Sequence, residues 1–213
     1  MKRKVLYLLI VLIMMSSPVC SQKYCCDPEL RREALSWAIR ELQPRLDVGA
    51  ANKIALRTIE TGEKLGLNAT LLVAMAFVES SLNPMAVSKK NAIGLMQIRY
   101  DVWKNEPELI NNGVKTRYDL FQIVPNIKCG AAIFLKYYLA SNKSVIKALH
   151  RYHTGQSNLP KGVNEYSVTY ANNVLITEFD VRMMMREYAS RMELRESSAN
   201  NLVERNVNLV KGQ

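Results

Sequence analysis

Leu71-Leu72-Val73-Ala74-Met75-Ala76-Phe77-Val78 is apolar on every side of a helix, and it ends in a lone glutamate, Glu79. A helix without a polar face cannot lie on a surface, so it belongs at the centre of the fold with other elements packed around it. Asn68 supplies an N-cap for a helix that starts at Ala69. Asn83-Pro84 stops it, because proline lacks an N–H and restricts the residue before it. A buried helix is therefore expected over about 69–80. A carboxylate at its tip is hard to ionise beside apolar walls, so the Glu79 pKa should rise towards neutrality.

Taken alone, Glu79 reads as an ordinary solvated helix-end acid, as most glutamates are. The residues after it change that reading. Glu79-Ser80 is followed by Asn83-Pro84, then Ser88 in a polar turn with Lys89-Lys90, then Gly94-Leu95-Met96-Gln97. An acid still protonated near pH 7 can protonate the leaving oxygen of a glycosidic bond. In order and spacing this set resembles the signature of the lytic transglycosylase family with a goose-type lysozyme-like domain. The resemblance implies a mostly α, lysozyme-like fold, with room for a small β excursion between Ser88 and Tyr100. It implies that Glu79 is catalytic, that Ser88 and Gln97 line a sugar cleft, and that Met96 forms part of its wall. Gly94 reads as a point of close backbone approach.

Later blocks extend the resemblance over roughly residues 68–175. Leu120-Phe121 is followed by Gln122 where the family often has Asp, and Asn126-Ile127 and Gly130 then match on an amphipathic helix. Tyr152 and Gly155 fit a Tyr-Asn-x-Gly block in which His153 replaces the usual Asn. The resemblance gives Tyr152 the role of donating its phenol to Glu79 or to a sugar. Tyr170, four residues before Val174-Leu175, fits the last block, and Tyr166 lies one turn earlier on the same face. Trp103 is a candidate for stacking on a sugar, against the plainer reading of a core aromatic.

The N-terminus reads as an export signal over residues 1–21. Lys2-Arg3-Lys4 precede an apolar stretch from Val5 to Met15, too short to span a membrane, and Val19 and Ser21 suit cleavage after Ser21. The rival reading lipidates Cys20, but Val19 before it is larger than that signal usually carries. The expected location is the periplasm or cell envelope, with no stable membrane span after cleavage.

The chain carries 29 Lys and Arg against 19 Asp and Glu, a net charge of +10. The signal holds only three of those bases, so the rest stays basic and is attracted to acidic polymers. The basic residues are scattered without a block, which argues against nucleic acid. In an oxidising compartment Cys129 is expected to pair with Cys25 or Cys26. With no CxxC spacing and only His150 and His153 as histidines, neither a metal nor a cofactor is expected.

Residues 22–66 should form two packing helices, the first from Pro28 to Pro44 and the second from Ala50 to Leu65, on a catalytic domain over 67–177. Residues 178–213 form a helical C-terminal extension whose methionines read as core filler. The loop at 156–163 should edge the cleft.

The chemistry the resemblance implies is cleavage of the β-1,4 bond between N-acetylmuramic acid and N-acetylglucosamine in peptidoglycan, with a 1,6-anhydro product. No second acid occupies a motif position; Asp101 and Asp119 are the nearest candidates. The alternatives are a lysozyme-type hydrolase that recruits Asp101, or a non-catalytic wall-binding component of a secretion, conjugation or phage assembly.

Overall fold

The computed structural model describes residues 27–155 and 165–211. Among them are eight α-helices and one two-stranded sheet. Helix α1, Pro28–Leu42, starts where the Asp27 carboxylate accepts the N–H groups of Glu29 and Leu30, with Pro28 in the first turn. Helix α2, Val48–Leu65, begins two residues earlier than its apolar pattern suggests, because Asp47 caps it through Ala50 N–H. It ends at Gly66 in the left-handed region.

Helix α3, Ala69–Ser80, is the buried apolar helix, capped by Asn68, with every residue from Ala69 to Ala76 buried. Helices α1 and α2 and the long helix α8, Glu165–Lys211, pack around it. Glu178 of α8 accepts hydrogen bonds from Thr70 Oγ1 (2.8 Å) and Asn68 Nδ2 (3.3 Å). Its carboxylate thus sits at the N-terminal end of α3, where the helix dipole favours negative charge.

Strands β1, Ala92–Ile93, and β2, Ile98–Arg99, pair antiparallel, with Ala92 opposite Arg99 and Ile93 opposite Ile98. They are the small β excursion. Short helices α4, Tyr100–Trp103, and α5, Pro107–Ile110, and a 3-10 turn, Arg117–Phe121, lead to α6, Ile123–Leu139. Helix α7, Val145–Thr154, follows and packs on α6.

Helix α8 is a single element running across position 177. Tyr170, Ala171, Val174, Val181, Met185 and Ala189 form its buried stripe against the core, so Met185 fills the core while Phe179 faces solvent.

Cys129 departs from the disulfide expectation. It is a free thiol with no exposed surface on the core side of α6, and burial pushes its pKa up to about 12. Its expected partners, Cys25 and Cys26, lie outside the described residues, as do the export signal and the 156–163 loop. A thiol buried this way behaves as a small apolar side chain. Cys129 is therefore expected to resist a thiol reagent in the folded protein and to react once denaturant is added. Rapid labelling of Cys129 in native protein, located by peptide mapping, would contradict that packing.

Candidate active site

The last turn of α3 delivers Glu79 to the floor of an open cleft of about 600 Å³. Ser80 clips the helix end in place: its Oγ donates to Ala76 O (3.0 Å) or Leu95 O (2.8 Å). Ser81 and Leu82 then adopt positive φ, 53° and 60°, and reverse the chain. Asn83 Oδ1 accepts Met85 N–H at 2.9 Å, closing an Asx turn.

Ser88 Oγ accepts the N–H groups of Lys90 (3.3 Å) and Ala92 (3.1 Å). The hydroxyl thus shapes the turn and still lies at the cleft. Gln97 also lines the cleft, with φ +47°, and its Nε2 donates to Gly94 O at 3.0 Å.

Behind Gln97 the chain is held from three sides at Met96. Its N–H donates to Asn126 Oδ1 (2.8 Å) and its carbonyl accepts the Tyr152 phenol (2.8 Å). Its side chain packs where Gly130 leaves space, since a Cβ on Gly130 would lie 2.4 Å from Met96 Sδ. Met96 is wholly buried, so it supports the cleft from beneath and is not one of its walls. Asn126 also donates through Nδ2 to Ile93 O (2.9 Å) and Leu120 O (2.7 Å). One buried amide therefore ties the stretch that carries Gln97, at Met96 and Ile93, to the 3-10 turn, at Leu120.

Tyr152 does not reach Glu79 with its hydroxyl, because the phenol is committed to the Met96 carbonyl. Tyr170 makes that contact instead: its O–H donates to Glu79 Oε1 at 2.7 Å. The pattern along the chain offers no way to choose between two tyrosines 18 residues apart. The register of α8 against α3 decides it, and that register is a tertiary property. His153 stacks on the Tyr170 ring, with centroids 4.2 Å apart and planes 18° apart.

Burial raises the Glu79 pKa to about 7, against the opposing pull of the Tyr170 hydrogen bond. Desolvation wins because apolar α3 flanks the carboxyl, while a single neutral donor stabilises its charge. Burial likewise pushes both tyrosines well above the usual phenol range, so both remain donors.

Of the six site residues expected from the sequence, Glu79, Ser88, Gln97, Tyr152 and Tyr170 line the same cleft. Trp103 lines it too, with the Lys136 ammonium 5.1 Å from its ring centre. Among the described residues lining the cleft, Glu79 is the one acid. Asp101 is exposed and paired with Arg99 at 2.5 Å, which holds its carboxyl below the usual range. Asp119 Oδ2 accepts the N–H groups of Lys115 (2.9 Å) and Thr116 (2.7 Å) as a cap.

A helical fold that brings one half-buried, raised-pKa carboxylic acid to an open cleft describes a lysozyme-like enzyme. The model of the transglycosylase SLT domain matches residues 57–174, more than half of the chain. The chain belongs to that family, and it is a peptidoglycan lytic transglycosylase, a lyase acting on polysaccharide.

Proposed function

We propose that this protein is exported to the cell envelope and opens the wall locally by cleaving the MurNAc-β-1,4-GlcNAc bond to a 1,6-anhydro end. Glu79, as the acid, protonates the glycosidic oxygen, and the bond from that oxygen to the muramic C1 breaks. The substrate's own N-acetyl oxygen closes on C1 and holds the positive charge. The Glu79 carboxylate then removes the proton of the C6 hydroxyl, and O6 attacks C1 to release the N-acetyl group. The proton lost in the first step returns in the second, so no water is consumed. Ser88, Gln97 and Trp103 offer polar and aromatic contacts for the sugars. Residues 28–66 and the part of α8 beyond 177 brace this domain: α2 packs on α3, Glu178 holds the start of α3, and further along α8 Tyr188 packs against Trp37 of α1.

The carrying observation is that Glu79 stands without a second carboxylate among the described lining residues. Glycosidases that use water or a protein nucleophile place a second carboxyl across the bond. A lone acid suits a reaction whose nucleophile is supplied by the substrate. Among the described residues no helix is long and apolar enough to cross a membrane. Mass spectrometry of digested peptidoglycan tests the reading. Anhydro-muropeptides support it, reducing-end muramic acid would replace it with a hydrolase, and intact strands would leave a wall-binding role.

The first step needs Glu79 protonated, so activity should fall as pH rises through about 7. Tyr170→Phe removes a hydrogen bond to the charged form and should raise the Glu79 pKa. The alkaline limb of kcat/KM is then expected to move to higher pH. A limb that stays put in the folded variant would show that the phenol does not act on the acid.

A further inference from the structure

We infer that His153 is a positioning residue: its imidazole, stacked on the Tyr170 ring, holds the phenol where it donates to Glu79. This rests on the proposed role of Glu79 and adds a residue to it.

Two observations carry the inference. The two rings lie 4.2 Å apart and nearly parallel, and the Tyr170 hydroxyl at the far end of its ring is 2.7 Å from Glu79 Oε1. The platform itself is anchored, because the preceding residue, Tyr152, is bonded to the Met96 carbonyl. Helix α7 therefore presents the imidazole from a fixed end, against a tyrosine that comes from a different helix, α8.

The charge state of the ring fits this task. His153 faces Tyr170 of α8, His150 of its own helix and Lys90 of the Ser88–Ala92 turn. Burial, then His150 and Lys90, lower its pKa below 6.5. It is neutral at pH 7, so it braces Tyr170 without placing a cation that would pull the Glu79 pKa down. Around Glu79 itself stand the Tyr170 and Tyr152 phenols, both neutral.

The test uses the full chain and two readouts, kinetics on purified peptidoglycan and a 13C-carboxyl NMR titration of Glu79 without substrate. In His153→Asn the Tyr170 hydrogen bond loosens, so the Glu79 pKa should rise by a few tenths of a pH unit. Its kcat should fall about 3- to 10-fold with KM little changed, the factor a lost ring stack corresponds to. His153→Phe keeps a flat face and should restore both values towards wild type. Should His153→Asn melt below the assay temperature, His153→Leu keeps the bulk without the aromatic face and should show the same rise. An unmoved Glu79 titration in the folded Asn or Leu variant overturns the inference, and so does a Phe variant as impaired as Asn. Glu79→Gln is assayed alongside: if it stays active, the reading of Glu79 fails, whereas an inactive Glu79→Gln with an unmoved titration in His153→Asn fails the inference alone.

Discussion

Replacing Glu79 by glutamine is expected to lower peptidoglycan cleavage by at least about 10²–10⁴-fold while leaving the protein folded. Glutamine keeps the shape and can still accept from the Tyr170 phenol, but it can neither give a proton nor take one back. The range given is for one proton transfer, and in this mechanism the same carboxyl serves two, so the loss should sit at its upper end or beyond. The fold should survive because α3 is held by its apolar residues, buried from Ala69 to Ala76, and not by the carboxyl.

The same pKa carries a stability consequence. Glu79 is raised from 4.5 to about 7, so between those values the folded protein binds a proton that the unfolded chain does not. Stability must then fall as pH rises from about 4.5 through 7, by up to ~3 kcal/mol. Glutamine removes this penalty. At pH 8 the variant should melt at or above the wild-type temperature, and at pH 4 the two should coincide. Turbidity loss of purified peptidoglycan and thermal melts at both pH values check the two halves together. A folded variant that clears the wall near the wild-type rate would remove Glu79 from the mechanism.

Local rules explain why so much of this site is legible along the chain. The bounds of α3 follow from Asn68, Asn83 and Pro84, and its central place follows from eight apolar residues in a row. The raised Glu79 pKa follows from the same run, since burial is its cause. What is not legible is which side chain meets which across the fold. Tyr152 and Tyr170 are both cleft phenols near the ends of matching blocks, yet one is spent on the Met96 carbonyl and the other on Glu79. Met96 looks like a cleft residue because it stands beside Gln97. The two adopt different backbone conformations, with positive φ at Gln97, so their side chains part: one enters the cleft and the other enters the core. Cys129 misleads for a related reason. A thiol count suggests a bridge, but the helical face on which Cys129 sits turns it inward.

Asn126 is the clearest residue of this second kind, and its loss should destabilise the protein most. From α6 it accepts Met96 N–H and donates to the carbonyls of Ile93 and Leu120, at 2.7 to 2.9 Å. All three of those residues are buried, so water cannot replace the amide. Asn126→Ala strands one donor and two acceptors, at about 1–3 kcal/mol each. A loss of about 3–5 kcal/mol is expected, a large part of the 5–15 kcal/mol that holds a domain together. The melting temperature should drop by roughly 10 °C in a chain of this size. Asn126→Asp should be no better: its carboxylate keeps the bond to Met96 N–H but faces two carbonyls it cannot donate to. Activity should decline even below the melt, because Gln97 hangs from the loop this amide ties down. Gly94 reaches the same hub from the other side. Its φ is +75°, and a Cβ there would lie 2.2 Å from Asn126 Nδ2 and 2.4 Å from Leu120 O, so Gly94→Ala should push the amide off its partners. The double variant should then be less destabilised than the two single changes added together, because without the Asn126 amide the new methyl group loses its nearest obstacle. Denaturant melts of the four proteins measure this coupling. Full additivity, or a drop below about 2 °C for Asn126→Ala, would show that the amide does not hold the loop.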